Sequence, residues 1–125
     1  MLTGSFFTTA DQPGRIGIAR FAPKRFRALP RYSALAPGPW FKSVPRAEYE
    51  RRFADQLAAL DPAAVWDELH ALAGGEEPIL LCWERPGQFC HRRLVAGWFE
   101  RGLGETVAEF QPPAAAGQMD LFAAP

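Results

Sequence analysis

A continuous apolar run at residues 78–83, Pro-Ile-Leu-Leu-Cys-Trp, constrains the fold more than any other feature of this chain. A strand that is apolar on both faces is typical of a parallel sheet covered on both sides. The run is followed by a Pro86-Gly87 turn and by a helical pattern over residues 90–101. This succession of strand, turn and helix predicts an α/β domain.

Periodicity and turn residues place the other elements around this unit. Strands are predicted at 2–8, 15–20 and 106–110, and helices at 46–60 and from Pro62 to a stop at Gly74-Gly75. Asp61 is a favourable N-cap and Pro62 suits the first helical position, so the two helices are predicted to be separate. The order favours a small three-layer sandwich with a central, mostly parallel sheet. We expect residues 1–110 to form a single domain and residues 111–125 a Pro/Ala linker and a flexible C-terminal tail.

Length and composition bound the class of protein. A chain of 125 residues with 48% hydrophobic residues can bury the core of one domain. No apolar run approaches the roughly 18 to 20 residues that span a bilayer, and the N-terminus lacks the basic start of a signal peptide. We therefore expect a cytoplasmic protein with no membrane partner and with both cysteines as thiols. Nothing in the sequence specifies an oligomeric state.

The net charge of zero conceals an uneven distribution of charge. Residues 1–46 carry eight basic residues and one acidic residue, whereas the remaining 79 residues carry six basic and thirteen acidic residues. A uniformly basic nucleic-acid coat is therefore excluded, and a local anionic partner is expected on the N-terminal third.

Most of that positive charge lies in a proline-rich segment at residues 21–45. Basic and aromatic side chains alternate there, which is the composition that binds phosphates and stacks on bases. The residues predicted to bind the ligand are Arg25, Arg27, Arg31, Trp40 and Lys42. The alternative is a solvated loop whose arginines pair with the acidic C-terminal half.

The segment from residue 82 to residue 92 carries the predicted chemistry. Cys82 and Glu84 lie at the end of the apolar strand, and Cys90, His91 and Arg92 lie at the start of the next helix. Ligands of open α/β sheets bind at this edge, and helix N-termini attract anions. We expect Arg92 to hold an anion, Cys90 or Cys82 to act as the nucleophile, and His91 or Glu84 to transfer protons. A thiol at a helix N-terminus has a lowered pKa, and basic residues there are unfavourable unless an anion or a carboxylate lies near them.

Two other interpretations of these residues remain open. Both thiols could pack as small hydrophobic groups. Cys82, Cys90 and His91 could bind zinc with His70 or Glu84 as a fourth ligand. Adjacent Cys90 and His91 are expected to point in different directions, and paired C-x-x-C spacing is missing, so we predict no metal. P-loop, G-x-G-x-x-G and H-E-x-x-H motifs are also missing, so no cofactor is predicted.

The stretch at residues 81–98, Leu-Cys-Trp-Glu-Arg-Pro-Gly-Gln-Phe-Cys-His-Arg-Arg-Leu-Val-Ala-Gly-Trp, resembles a bacterial and phage family, the domain of unknown function numbered 488. Members of that family show a Cys, an acidic residue, a Pro and then Cys-His-Arg leading into a helix. The resemblance extends over residues 1–105 and includes the N-terminal strand, the Leu35-Ala36-Pro37 loop and the Asp61-Pro62 boundary. It implies an α/β domain with a pocket at the Cys-His-Arg segment and specifies no reaction.

The C-terminal tail carries a second motif, Gln118-Met119-Asp120-Leu121-Phe122. It resembles the pentapeptide with which bacterial DNA polymerases and repair proteins dock on the DNA sliding clamp. A Gln begins that motif and a Leu-Phe pair fills an apolar pocket of the clamp. The alternative is that Leu121 and Phe122 fold back onto the domain.

Together these features predict a DNA- or nucleotide-associated protein that is brought to the sliding clamp by its tail. Its anion-binding pocket is predicted at the start of the helix near Cys90, and its ligand is nucleic acid or a phosphorylated small molecule. In the enzymatic form of this hypothesis the pocket contains a cysteine nucleophile. The alternatives are a non-catalytic adaptor that binds nucleic acid and a zinc-stabilised structural domain.

Overall fold

The computed structural model describes residues 1–112. Its strands are β1 (Leu2–Ser5), β2 (Arg15–Gly17), β3 (Ile79–Cys82) and β4 (Ala108–Glu109), and its α-helices are α1 (Arg46–Ala58), α2 (Pro62–Leu72) and α3 (His91–Leu103). Three short 3-10 helices, Lys24–Phe26, Ser33–Leu35 and Pro39–Lys42, lie between β2 and α1. In this part of the chain no helix is long and apolar enough to cross a membrane.

The four strands form one parallel sheet in the order β2-β3-β1-β4. Ile79 of β3 lies opposite Leu2 of β1 and Arg15 of β2, so β3 occupies the interior of the sheet. All four residues of β3 are buried, as a strand with two covered faces requires. The predicted α/β class and the parallel sheet are confirmed.

Different layers cover the two faces of the sheet. Leu80 and Cys82 face a large core that contains side chains of all three α-helices. Ile79 and Leu81 face a smaller core with Phe6 and the 3-10 segment around Phe26. The three layers are therefore the α-helices, the sheet and an irregular loop layer.

The helix boundaries follow local chemistry. Asp61 accepts a hydrogen bond from the backbone N–H of Ala63 at 3.2 Å, and Pro62 begins α2, as predicted. Helix α3 continues to Leu103 and ends at Gly104, whose φ of +70° is the left-handed conformation that glycine tolerates. At its other end, Cys90 precedes α3 with extended backbone angles, φ −153° and ψ 143°.

The proline-rich segment folds against the edge of the sheet. Tyr32 donates its backbone N–H to the carbonyl of Gly17 at 2.9 Å, and the Gln56 side chain donates to the carbonyl of Ala36 at 2.6 Å. These bonds attach the segment to β2 and α1. As a result, residues 37–46 lie beside the carboxyl end of β3.

Candidate functional site

The carboxyl ends of β2 and β3, the start of α3 and the proline-rich segment surround one cavity of about 350 Å³. Of the five side chains predicted to converge here, four line it: Cys82, Glu84, Cys90 and His91. The opposite wall is formed by Phe41, Lys42, Val44, Arg46 and Tyr49, and Phe89 also lines the cavity. Its volume falls in the range of about 300 to 1,000 Å³ that is typical of small-molecule sites.

Two thiols and one imidazole form a compact cluster at the buried end of this cavity. The Sγ atom of Cys82 lies 3.6 Å from His91 Nδ1, and the Sγ atom of Cys90 lies 3.8 Å from the same nitrogen. All three side chains are buried. The expectation that Cys90 and His91 point in different directions is wrong, because Cys90 has extended rather than helical backbone angles.

The imidazole of His91 is fixed from the opposite side. Its Nε2 lies 2.7 Å from the carbonyl oxygen of Ile18. A carbonyl can only accept, so Nε2 carries a proton, and in the tautomer that this bond selects Nδ1 offers its lone pair beside Cys90. The ring also packs edge-on against Phe53, with centroids 5.5 Å apart.

Burial determines the ionisation of Cys90. Loss of solvent raises the pKa of this thiol well above its ordinary value, and the neighbouring Cys82 raises it further, while the hydrogen bond with His91 opposes the shift. The predicted lowering of the pKa at the helix N-terminus is therefore wrong for Cys90, because burial raises the pKa more than the contact with His91 lowers it.

Two cationic side chains and three aromatic rings lie around the opening. The Arg46 guanidinium lies 4.3 Å from the centre of the Phe89 ring, and the Lys42 ammonium lies 5.4 Å from the centre of the Phe41 ring. Both cations are exposed. The third ring is that of Trp83, which follows β3 and is 46% exposed.

Tyr49 and Phe89 are site residues that sequence reasoning missed. The helical spacing of Tyr49 assigns it to the core of α1, yet it also lines the cavity. Burial, with smaller contributions from the two thiols and Glu84, raises the pKa of Tyr49, so its hydroxyl stays protonated. For Phe89, the only sequence feature that could have indicated a place in the site is its position just before the Cys-His-Arg segment.

Arg92 lies in an internal ion pair, outside the residues that line the cavity. Its Nη2 donates to Glu109 Oε2 at 2.7 Å, and its Nη1 donates to the carbonyl oxygen of Glu84 at 2.8 Å. The carboxylate expected near the basic start of α3 is thus that of Glu109. The role of Arg92 in holding an anion stays a prediction.

The other predicted ligand-binding residues do not form one patch. Lys42 lines the cavity, and Trp40 packs edge-on against Tyr49 with centroids 5.1 Å apart. Arg31 donates to the carbonyl of Arg20 at 2.8 Å. Arg25 lies over the Phe26 ring, which belongs to the smaller core, and Arg27 is exposed.

Two further predicted groups lie elsewhere. His70, considered as a fourth zinc ligand, contacts the carbonyl oxygen of Trp66 through Nδ1 at 2.8 Å and is not part of the cluster. The residues predicted to bind the clamp, Gln118, Met119, Asp120, Leu121 and Phe122, lie outside the described residues.

Comparison with known proteins identifies the family. A search of the curated proteins and a search of the solved structures each gave no match. The family model described as "Domain of unknown function DUF488" matches residues 33–99, which contain the cavity wall from Pro37 onwards and the whole thiol–imidazole cluster. Because this match covers more than half of the 125 residues, the chain belongs to the DUF488 family.

Proposed function

We propose that this protein binds a nucleotide, either free or at the end of a nucleic-acid strand, in the cavity beside α3. The observation that carries the proposal is the combination around one cavity of two exposed cations, several aromatic rings and a buried polar end. A nucleotide has matching parts, since it joins an anionic phosphate to a flat base. Glu84 adds an acceptor for a ribose hydroxyl or a base amino group.

Lys42 and Arg46 are assigned to the phosphate. Arg46 makes one long ion pair, with Glu50 at 3.7 Å, between two exposed side chains. Such a pair contributes little and is easily replaced. The planar guanidinium can hold a phosphate in a bidentate manner, and the Lys42 ammonium adds a second charge.

A row of exposed aromatic side chains supports binding to the end of a nucleic-acid strand. Phe21 is 64% exposed and Phe7 is 45% exposed, and both contact Trp83. The indole N–H of Trp83 donates to the carbonyl oxygen of Phe21 at 2.6 Å, and the Phe7 and Trp83 rings lie 5.9 Å apart. Exposed rings beside a basic cavity are suited to stacking on successive bases.

In the enzymatic form of the proposal, the cluster at the buried end supplies the reactive group. His91 Nδ1 is close enough to Cys90 to receive its proton, at 3.8 Å. The raised pKa of Cys90 disfavours a free thiolate, so a nucleophilic role requires this transfer during the reaction. Binding of nucleotide without turnover would assign the protein to the class of non-catalytic adaptors.

Recruitment to the sliding clamp forms the second part of the proposal. Its support is the motif at residues 118–122 and the Pro/Ala linker that precedes it. A short apolar motif on a linker can bind a groove without disturbing the domain. The cavity and the tail are therefore expected to act independently.

Titration of the full chain with a nucleoside monophosphate and with a 5′-phosphorylated single-stranded oligonucleotide tests the cavity. The double variant K42A/R46A is expected to lose at least tenfold in affinity for both ligands. Its matched control is R51A/R52A, which removes two exposed charges from α1 outside the cavity. For the oligonucleotide, the slope of log K against log[salt] is negative, and the loss of two phosphate contacts makes it shallower by about 1.4. Equal affinities for the two double variants would overturn the proposal.

A further inference from the structure

The two thiols and the imidazole at the end of the cavity have the composition of a transition-metal site. Within residues 1–112, the Sγ atoms of Cys82 and Cys90 and a ring nitrogen of His91 all lie within 4.8 Å of one another. From the geometry of this cluster we infer that Cys82, Cys90 and His91 bind a Zn²⁺ ion. The inference goes beyond the proposed function and uses neither of its phosphate-binding residues. It replaces the form of that proposal in which Cys90 is a free nucleophile and His91 its proton acceptor.

The spacing agrees with tetrahedral coordination. Zinc–sulfur bonds of about 2.3 Å and zinc–nitrogen bonds of about 2.1 Å at tetrahedral angles place sulfur and nitrogen about 3.6 Å apart. The two thiols lie 3.6 and 3.8 Å from His91 Nδ1. Cys82 Sγ is almost as close to Nε2, at 3.7 Å, so a rotation of the Cys82 side chain is needed to direct it at an ion beside Nδ1.

The surroundings of His91 are those of a metal ligand. Ligating histidines donate their other ring N–H to a carboxylate or a backbone carbonyl, which fixes the tautomer and the orientation of the ring. His91 makes this bond from Nε2 to the Ile18 carbonyl at 2.7 Å. The Ile18 carbonyl, in the segment that follows β2, thus holds an unprotonated Nδ1 beside the thiols.

The cluster provides three protein ligands and borders the cavity. Sites with three protein ligands are typical of catalytic zinc, in which water or substrate takes the fourth position. Because Cys82, Cys90 and His91 all line the cavity, the fourth position faces the space assigned to the nucleotide. A bound ion would supply a Lewis acid there, and Glu84 lies in the same cavity to exchange protons.

Metal analysis of the full chain, purified under reducing conditions without chelators, tests the inference. We expect one zinc ion per chain in the wild type and less than a tenth of an ion in C82S, C90S and H91Q. The matched controls are H70Q, which changes the other histidine, and K42A/R46A, and both are expected to keep a full ion. Loss of nucleotide binding in K42A/R46A with zinc retained would separate the two sites.

Cobalt titration of the chelator-treated wild type keeps the test valid if the three variants fail to fold. The expected signal is a thiolate-to-cobalt charge-transfer band with visible bands of tetrahedral cobalt, saturating at one equivalent and removed by zinc. A spectrum of hydrated cobalt would overturn the inference. A metal-free wild type that carries a Cys82–Cys90 disulfide under reducing conditions, or that stays metal-free after zinc is added, would also overturn it.

Discussion

The Arg92 side chain on α3 forms a buried ion pair with Glu109 on β4, with Nη2 and Oε2 2.7 Å apart. Arg92 is 1% exposed, and its Nη1 also donates to the carbonyl of Glu84, the second residue after β3. Thr3 of β1 donates to the same carboxylate at 2.6 Å. This network joins α3 to the end of β3 and to strands β1 and β4.

Removal of Glu109 is therefore expected to destabilise the whole domain. The variant E109A leaves a buried guanidinium without its anion, which costs about 3 to 5 kcal/mol in the free energy of unfolding. The control E50A breaks the exposed pair with Arg46 and should cost about 1 kcal/mol or less. Urea denaturation of both variants measures the difference, and similar midpoints would contradict this role of the pair.

The Cys90 thiol is expected to react slowly at neutral pH. Because burial raises its pKa above the ordinary value of about 8.5, the thiolate fraction is small at pH 7 and stays small at pH 8.5. In metal-free, reduced C82S protein, the rate of alkylation should be at least tenfold lower than in the same protein unfolded in urea. Rapid alkylation of the folded protein at pH 7 would show a lowered pKa and favour the activated nucleophile.

Trp83 is expected to contribute to oligonucleotide binding through its exposed ring. Loss of one stacking contact costs about 1 to 3 kcal/mol, so W83A should bind a 5′-phosphorylated oligonucleotide about 5- to 150-fold more weakly. The matched control is L72A, which removes an exposed apolar side chain from α2. A fluorescence-anisotropy titration in which both variants bind like the wild type would remove the aromatic row from the proposal.

Clamp binding should depend on the tail alone. The variant L121A/F122A is expected to lose at least tenfold in affinity for a bacterial sliding clamp, because the two side chains fill the apolar pocket in motifs of this kind. K42A/R46A should bind the clamp normally. Surface plasmon resonance with immobilised clamp measures both, and an unchanged affinity of L121A/F122A would contradict the recruitment.

The sequence predicted the elements well because their signals are local. The apolar run at residues 78–83 became the interior strand β3, and Asp61 with Pro62 marked the start of α2 as expected. Strand β1 ends at Ser5, earlier than predicted. Thr9 donates its hydroxyl to the Ser5 carbonyl at 3.0 Å, which stabilises a turn in place of further strand.

Features of the site that depend on long-range packing could not be predicted from the sequence. The partner of Arg92 is Glu109, seventeen residues along the chain on another element, and no local pattern marks it. Burial reversed the expected direction of the Cys90 pKa. Lys42 and Arg46 reach the cavity because 3-10 turns and backbone bonds fold the proline-rich segment along β2.

Chemical-shift mapping by NMR tests nucleotide binding in the cavity most directly. On titration of the isotope-labelled full chain with a nucleoside monophosphate, we predict the largest shifts for the Trp83 indole N–H and for backbone amides at residues 41–46 and 82–91. These shifts should no longer saturate with nucleotide in K42A/R46A and should saturate as in the wild type in R51A/R52A. Shifts confined to the far ends of the helices, or no saturable shifts at all, would contradict the account.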